Sequence, residues 1–387
     1  MFKQISLLGL GHIGLPTALL LACSGFSVHG TDCNPEVVER LLLGKLSYPE
    51  KGLRDLLLTS LSNGSLTISQ QTKPAEVVLV AVPTPLGPNC LPDLSSVYQA
   101  IDATAPFLDQ LKLLIIESTC PIGTTDTIAK QLRKISPNLA VAYCPERVLP
   151  GNILEELLNN DRVVGGVDKN SSELAAKFYH SFVRGSVGKT DARTAEAVKL
   201  AENSFRDLNI AFANELSMIA DELNFDTEEV ITLANRHPRV NILQPGVGVG
   251  GHCLPVDPYF IISSVPEQAN MMREARRTNE KKTEWVIQKV RDEAKKHGVS
   301  TIACFGQTYK PGVSDFRGSP AAKISDALEN DFDVLRVDPF LESSPSVGDA
   351  VEKADLLLGL VAHKDFRQIS SEKLRKKIVL DFMGVFS

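Results

Sequence analysis

Three glycines, at positions 9, 11 and 14, limit the ways in which this chain can begin to fold. They stand between an apolar run, residues 5–10, and a helix-patterned stretch, and Asp32 closes the next apolar run roughly 20 residues on. In such a setting the first glycine permits a tight turn, the second lets backbone approach a pyrophosphate, and the third lets helix and strand pack closely. The start of the helix offers unpaired N–H groups to the anion. Asp32 is placed to accept hydrogen bonds from ribose hydroxyls and to repel a 2′-phosphate, so the pattern predicts NAD rather than NADP. Gly9, Gly11, His12, Ile13, Gly14 and Asp32 are the expected lining. A glycine triad alone can be a structural turn, and the strand, helix and acidic residue around it argue for the cofactor. His12 itself reads as an exposed loop residue rather than a catalyst.

Apolar runs recur at residues 26–32, 77–83, 113–119, 139–144 and 162–167, with helical patterns between several of them. Runs apolar on both faces and alternating with helices predict an α/β fold with a doubly wound parallel sheet. From Ala192 to Leu223 the pattern changes: Ala195, Val198, Ala201, Phe205, Leu208, Phe212, Leu216, Ile219 and Leu223 repeat at three and four, with no Gly or Pro between. That is one helix of roughly 45 Å at ~1.5 Å per residue. Ile210, Ala211, Ala213 and Met218 fall off the stripe, which predicts burial, either in a homodimer interface or in the core of one chain. A second helical region, residues 266–297, precedes strands at 301–306, 332–338, 354–361 and 377–383. The expected organisation is two Rossmann-like doubly wound domains joined by a long central helix, with a cofactor domain at 1–185, a helical and dimerisation region at 186–298, and a second, smaller α/β domain at 299–387.

Several classes are excluded. A net charge of −6 gives no broad basic surface for a nucleic acid backbone. The apolar N-terminus is broken at Gly9, Gly11, Gly14 and Pro16, so neither a signal peptide nor a membrane span is expected. The seven cysteines are scattered without CxxC pairs. This argues against a disulfide framework and a structural zinc site, and places the chain in the reducing cytosol.

The segment Pro245-Gly-Val-Gly-Val-Gly-Gly-His-Cys-Leu-Pro-Val-Asp-Pro258 is the most unusual in the chain. Taken alone, Cys253 reads as a small buried residue. Gly246, Gly248, Gly250 and Gly251 change that reading, because a glycine-rich loop can present a thiol and supply backbone donors, and Asp257 lies one helical turn on. His252 is sequence-adjacent and would point elsewhere. Lys199 and Asn203 share a face of the long helix. A solvated lysine is the plain reading; if it faces the site, the pair can stabilise an alkoxide or oxyanion. Glu146, in CPERVLPG, is either a proton relay to water or a structural ion pair. Thr84 in VPTP and Thr119 in ESTCPIGTT lie at strand carboxyl ends, where such sheets bind ligands and where Thr also favours turns. A reactive thiol beside an NAD site permits an aldehyde to be carried through a thiohemiacetal and a thioester to an acid.

With these residues in place, the chain resembles the nucleotide-sugar 6-dehydrogenases, the UDP-glucose and UDP-N-acetylmannosamine dehydrogenase family. The likeness runs from GLGHIGLP through VAVPTP, ESTCPIGTT, YCPERVLPG, NDRVVGG and GVGVGGHCLPVDP to FGQTYKPGVSDFRGSPA and IVLDFMG, essentially the whole chain. KLAENSFRDLNIAFANEL and ANRHPRVNILQPGVGVGGHC are most similar to the N-acetylmannosamine branch of bacterial surface-polysaccharide synthesis. The resemblance implies four-electron oxidation of a UDP-sugar at C6 with two NAD. It also implies Cys253 as nucleophile, Lys199 and Asn203 as oxyanion stabilisers, Asp257 as a positioning group, and Glu146 with Thr119 in acid/base and water-binding roles. It further implies that Pro83, Thr84, Thr119 and Arg317 approach the cofactor and that Arg147, Arg239, Gly250 and Lys310 contact the sugar nucleotide. Two departures stand out: Val256 replaces a lysine, and Gly318 replaces an acidic residue after Arg317, which is expected to loosen that loop. The segment 343–349 is also short for the family. The rival expectations are a UDP-glucose enzyme, a two-electron hydroxyacid dehydrogenase that needs no Cys253, and a non-catalytic NAD or nucleotide-sugar sensor.

Overall fold

The computed structural model describes residues 2–48, 50–148 and 151–386. They divide into two compact units, one of Met1–Glu202 with Tyr259–Ser264, the other of Asn203–Pro258 with Val265–Ser387. The division falls inside the long helix, Ala192–Leu223, whose bounds are those expected from its periodicity.

The first unit carries an eight-stranded sheet: β1 (Gln4–Leu8), β2 (Ser27–Thr31), β3 (Leu66–Ser69), β4 (Val77–Val80), β5 (Leu113–Ile116), β6 (Ala140–Tyr143), β7 (Arg162–Gly166) and β8 (Val187–Asp191). Their order is β3-β2-β1-β4-β5-β6-β7-β8. Successive residues of a strand face opposite sides, so Leu7, Leu79 and Ile115 enter one core while Leu8, Val80 and Ile116 enter the other. Both faces are therefore covered, and each such leucine or isoleucine contributes about 1.5–3 kcal/mol by leaving water.

Two features depart from the expected parallel sheet. β7 pairs antiparallel with β6, and β8 runs parallel to β7. The short strands β3 (LTIS) and β8 (VGKTD) escaped the apolar-run reading because both are edge strands with polar or exposed positions.

The second unit carries a parallel four-stranded sheet, order β10-β9-β11-β12, from β9 (Thr301–Phe305), β10 (Asp333–Val337), β11 (Leu356–Gly359) and β12 (Ile378–Asp381). Val286, Val290 and Ala294 of the Asn270–His297 helix fill the core on one of its faces.

Of the two alternatives for the long helix, burial in the core of one chain does not hold for the large residues of its stripe, although off-stripe Ala211 and Ala213 are buried. Phe205, Phe212, Ile219 and Leu223 are 66%, 52%, 44% and 67% exposed, and the buried face is instead small and polar, with Asn203, Asp207, Ala211, Asn214 and Ala220. Polar residues win that face because Arg276, Asn279 and Lys282 of the Asn270–His297 helix supply hydrogen-bond partners there. No helix among the described residues is long and apolar enough to cross a membrane.

Candidate active site

In the first unit, Gly9 adopts φ +93°, and a side chain there would sit 2.5 Å from the Ala81 carbonyl oxygen. A Cβ at Gly14 would collide with the Gly9 carbonyl oxygen, so this glycine lets helix Gly14–Cys23 lie against β1. A Cβ at Gly11 would meet nothing within 4 Å. Protein packing does not demand a glycine there, whereas close approach of a ligand does. Asp32 accepts from Leu10 N–H (3.0 Å) through Oδ2 and from Asn34 N–H (3.0 Å) through Oδ1. Each oxygen keeps a lone pair for a ribose hydroxyl. These residues fit NAD. His12 stacks on Tyr48 at 4.1 Å, and Ile13 leads into the first helix. Pro83 and Thr84 follow β4, where Ser118 accepts from Val82 N–H (2.9 Å) and donates to Val82 O (2.8 Å), joining that turn to the one after β5.

Half-buried Thr119 stands in that second turn. Buried Glu196, near the start of the long helix, accepts from Gly123 N–H (2.5 Å), Thr125 N–H (2.8 Å) and the Thr125 hydroxyl (2.6 Å), capping the helix that follows Thr119. Glu146 accepts from Arg147 N–H (2.6 Å) and Val148 N–H (2.8 Å) through Oε1, and from Arg162 Nη1 (3.1 Å) through Oε2. Of the two readings offered for Glu146, the structural ion pair is thus present. Arg147 pairs with Glu202, one turn beyond Lys199's neighbourhood on the same helix (2.6 Å).

Sequence reading missed Glu117. It is buried, accepts from the Tyr179 hydroxyl (2.6 Å), and leaves Oε2 without a partner among the described residues. Burial, with the Glu146 carboxylate adding to it, pushes its pKa up to about 7.

In the second unit, Asn203 Nδ2 donates to Asp257 Oδ2 (2.5 Å), while Asp257 N–H and Val256 N–H donate to the Cys253 carbonyl (2.8 and 2.9 Å). Asn203, Cys253 and Asp257 are therefore brought together, with Asn203 and Asp257 buried and Cys253 half-buried. Lys199 lies one turn before Asn203 on the long helix and is half-buried.

The loop beneath Cys253 rests on Tyr309: side chains at Gly250 and Gly251 would each approach that residue to 3.0 Å. Burial, then Asp315, then Cys253 raise the Tyr309 phenol above its ordinary range. Arg317 is raised first by its bond to Asp315, with Cys253 contributing less. The thiol thus shares a neighbourhood with Tyr309 and Arg317, and Arg317 also reaches His252 (3.4 Å).

Gly318 has φ +59°, a backbone region that an acidic side chain adopts only under strain. Glycine here fits the turn, a physical reason for the departure noted in the sequence. Half-buried Lys310 follows β9, in a segment held by Asp338, which accepts from Gln307 and Thr308 N–H (2.6 and 3.1 Å), and by buried His363, whose Nδ1 accepts from Gly312 N–H (3.2 Å). Asp338 immediately follows β10 as Asp32 immediately follows β2, a parallel that the sequence reading did not notice. Arg239 is exposed in the turn after helix Thr227–Ala234. No group of three or more potential metal ligands gathers among the described residues.

Three models of the UDP-glucose/GDP-mannose dehydrogenase family match in succession: the NAD binding domain at residues 3–183, the central domain at 193–281 and the UDP binding domain at 303–387. The chain belongs to that family and is an NAD-dependent UDP-sugar dehydrogenase. It is 43% identical to an NDP-N-acetyl-D-galactosaminuronic acid dehydrogenase of Ralstonia nicotianae, covering 100% of this chain and 97% of the relative. It is 42% identical to a UDP-N-acetyl-D-mannosamine dehydrogenase of Methanocaldococcus jannaschii, covering 100% and 93%. The solved structure of a UDP-D-ManNAc dehydrogenase from Pyrococcus horikoshii superposes with a TM-score of 0.93 at 37% identity, covering 100% and 96%.

Proposed function

We propose that this enzyme oxidises C6 of UDP-N-acetyl-D-mannosamine to the carboxylate, with Cys253 holding the half-oxidised sugar. The observation that carries the reading is the Asn203–Asp257–Cys253 arrangement at the end of the glycine-rich loop. NAD, bound through Gly9, Gly11, Gly14 and Asp32, supplies the hydride acceptor for both oxidations. Between them, the Cys253 thiolate adds to the C6 aldehyde, forming a C–S bond as the carbonyl oxygen takes a proton. Loss of a hydride from C6 and of that proton gives a thioester. Water then adds, the C–S bond breaks, and acid and thiolate are released.

Lys199 and the Asn203 amide stabilise the oxyanions, and Asp257 fixes the amide's orientation. Thr119 and Glu146 handle water. Glu146 Oε2 retains a lone pair for this beyond its Arg162 bond. Arg147, Arg239, Gly250 and Lys310 are assigned to the sugar nucleotide, and Pro83, Thr84 and Arg317 to the cofactor. The expected regions 1–185, 186–298 and 299–387 then serve cofactor, catalysis with dimerisation, and UDP-sugar.

A homodimer formed through Phe205, Phe212 and Ile219 belongs to this reading, since apolar residues seven apart on an exposed helix face suit pairing with a second copy. The scattered cysteines, with no CxxC spacing among them, suit a reducing cytosol, and the product suits bacterial surface-polysaccharide synthesis. A second reading, the same chemistry on the galacto-configured sugar, is favoured by the name of the 43%-identical relative. Kinetics on UDP-N-acetylmannosamine, UDP-N-acetylgalactosamine and UDP-glucose test both. The proposal expects kcat/KM for the first to exceed the others by about tenfold or more, and a preference for UDP-glucose would contradict both readings.

A further inference from the structure

The Cys253 loop starts at Pro245 and is rich in glycine, so its own backbone cannot hold a thiol in one place. What holds it lies on two helices of the same unit. Asn214 Oδ1 accepts from Gly246 N–H (2.7 Å), and the Thr283 hydroxyl donates to the Val247 carbonyl (2.8 Å). Both side chains are buried, at 0% and 4% exposure. A Cβ at Gly248 would collide with Thr283 Oγ1, so the loop is pressed directly against that hydroxyl.

Asn214 is fixed in turn. Its Nδ2 donates to Asn279 Oδ1 (2.9 Å), Asn279 Nδ2 donates to Asp207 Oδ1 (2.8 Å), and Arg276 donates to the same oxygen (2.7 Å). Asn203, Asp207 and Asn214 follow one another at helical spacing on a single face of the long helix. That face therefore grips the loop at both ends, at Gly246 through Asn214 and at Asp257 through Asn203, the two amides standing roughly 16 Å apart along the helix.

We propose that Asn214 and Thr283 are positioning residues for the Cys253 thiol, acting through the backbone of Gly246 and Val247. The proposal rests on the reading of Cys253 as nucleophile. The groups that touch the loop, one amide and one hydroxyl, are buried and are backed by the Asp207–Arg276 ion pair through Asn279, so the loop is fixed before substrate arrives, which is the condition for an efficient attack.

The test uses the full-length enzyme with Thr283→Val, which keeps shape and removes the donor, Thr283→Ser, which keeps the donor, and Asn214→Ala. Three quantities are read: kcat for acid formation, KM for NAD, and the rate of Cys253 alkylation by iodoacetamide against pH. Thr283→Val and Asn214→Ala are expected to lower kcat about tenfold or more and to change the alkylation profile, with KM for NAD within about twofold of wild type. Thr283→Ser is expected to restore both. Wild-type kcat and alkylation in Thr283→Val and Asn214→Ala, even with lowered melting temperatures, would overturn the proposal, as would equal losses in the Ser and Val variants. Cys253→Ser is the control for the underlying reading: acid formation by that variant removes the nucleophile, whereas the alkylation profiles still decide the clamp.

Discussion

Gly11 and Gly14 stand three residues apart and are glycines for different reasons. A side chain at Gly14 would strike the Gly9 carbonyl oxygen and approach Leu7 Cδ2 to 2.8 Å, whereas one at Gly11 would meet open space. Gly14→Ala should therefore cost about 1–3 kcal/mol of stability through overpacking. Gly11→Ala should melt like wild type and bind NAD more weakly. Thermal melts paired with NAD titration check both, and wild-type NAD affinity in Gly11→Ala would refute the assignment of this turn.

Glu117 supplies a pH test. Burial pushes its pKa from an ordinary 4.5 up to about 7, so its contribution to stability is full below pH 4.5 and is lost as pH rises through 7. The full loss is roughly 3 kcal/mol. Glu117→Gln cannot ionise and can still accept from the Tyr179 hydroxyl, so its melting temperature should gain on wild type between pH 5 and pH 8. Parallel curves would show that the carboxyl carries no such shift. Gly9, Gly11, Gly14 and Asp32 could be singled out from sequence because their spacing falls between a strand-like run and a helix-like run, a context that is itself legible in sequence. Glu117 was not, because a carboxylate at a strand end shows neither its burial nor Tyr179 until the chain is folded.

At the scale of the element, the long helix does two jobs on two faces. Its polar face holds Asp257 and Gly246, and its apolar residues Phe205, Phe212 and Ile219 stand in water in the single chain. Periodicity revealed the length of the helix and the existence of an apolar stripe. It could not reveal which face turns inward, because Asn203, Asp207 and Asn214 look like solvent-facing residues until the Asn270–His297 helix supplies Asn279 and Arg276. A related limit hid β3 and β8: β3 is only four residues of alternating apolar and polar type, too short to stand out, and β8 is mostly polar and exposed, so their pairing to β2 and β7 is what marks them. If the apolar face meets a second copy, Phe212→Glu should place a charge in that interface and shift the particle mass from dimer toward monomer by light scattering. An unchanged mass in that variant, or a monomeric wild type, would remove the dimer from the account.

At the scale of the whole molecule, the order of parts was readable from sequence: a cofactor sheet first, a long helix next, a second sheet last, as the three successive family matches also run. The antiparallel turn of β7 and β8 was not readable, since strand direction leaves no trace in composition. One unit carries the dinucleotide fold and the other the glycine-rich loop with its cysteine, and the proposed oxidation of an alcohol to an acid calls on both. The most direct measurement is NADH formed per uronate released from UDP-N-acetyl-D-mannosamine, in wild type and in Cys253→Ser. The account predicts about two NADH per acid for the wild type and no acid from the variant. One NADH per turnover with an aldehyde or ketone as end product, or full acid formation by Cys253→Ser, would contradict it.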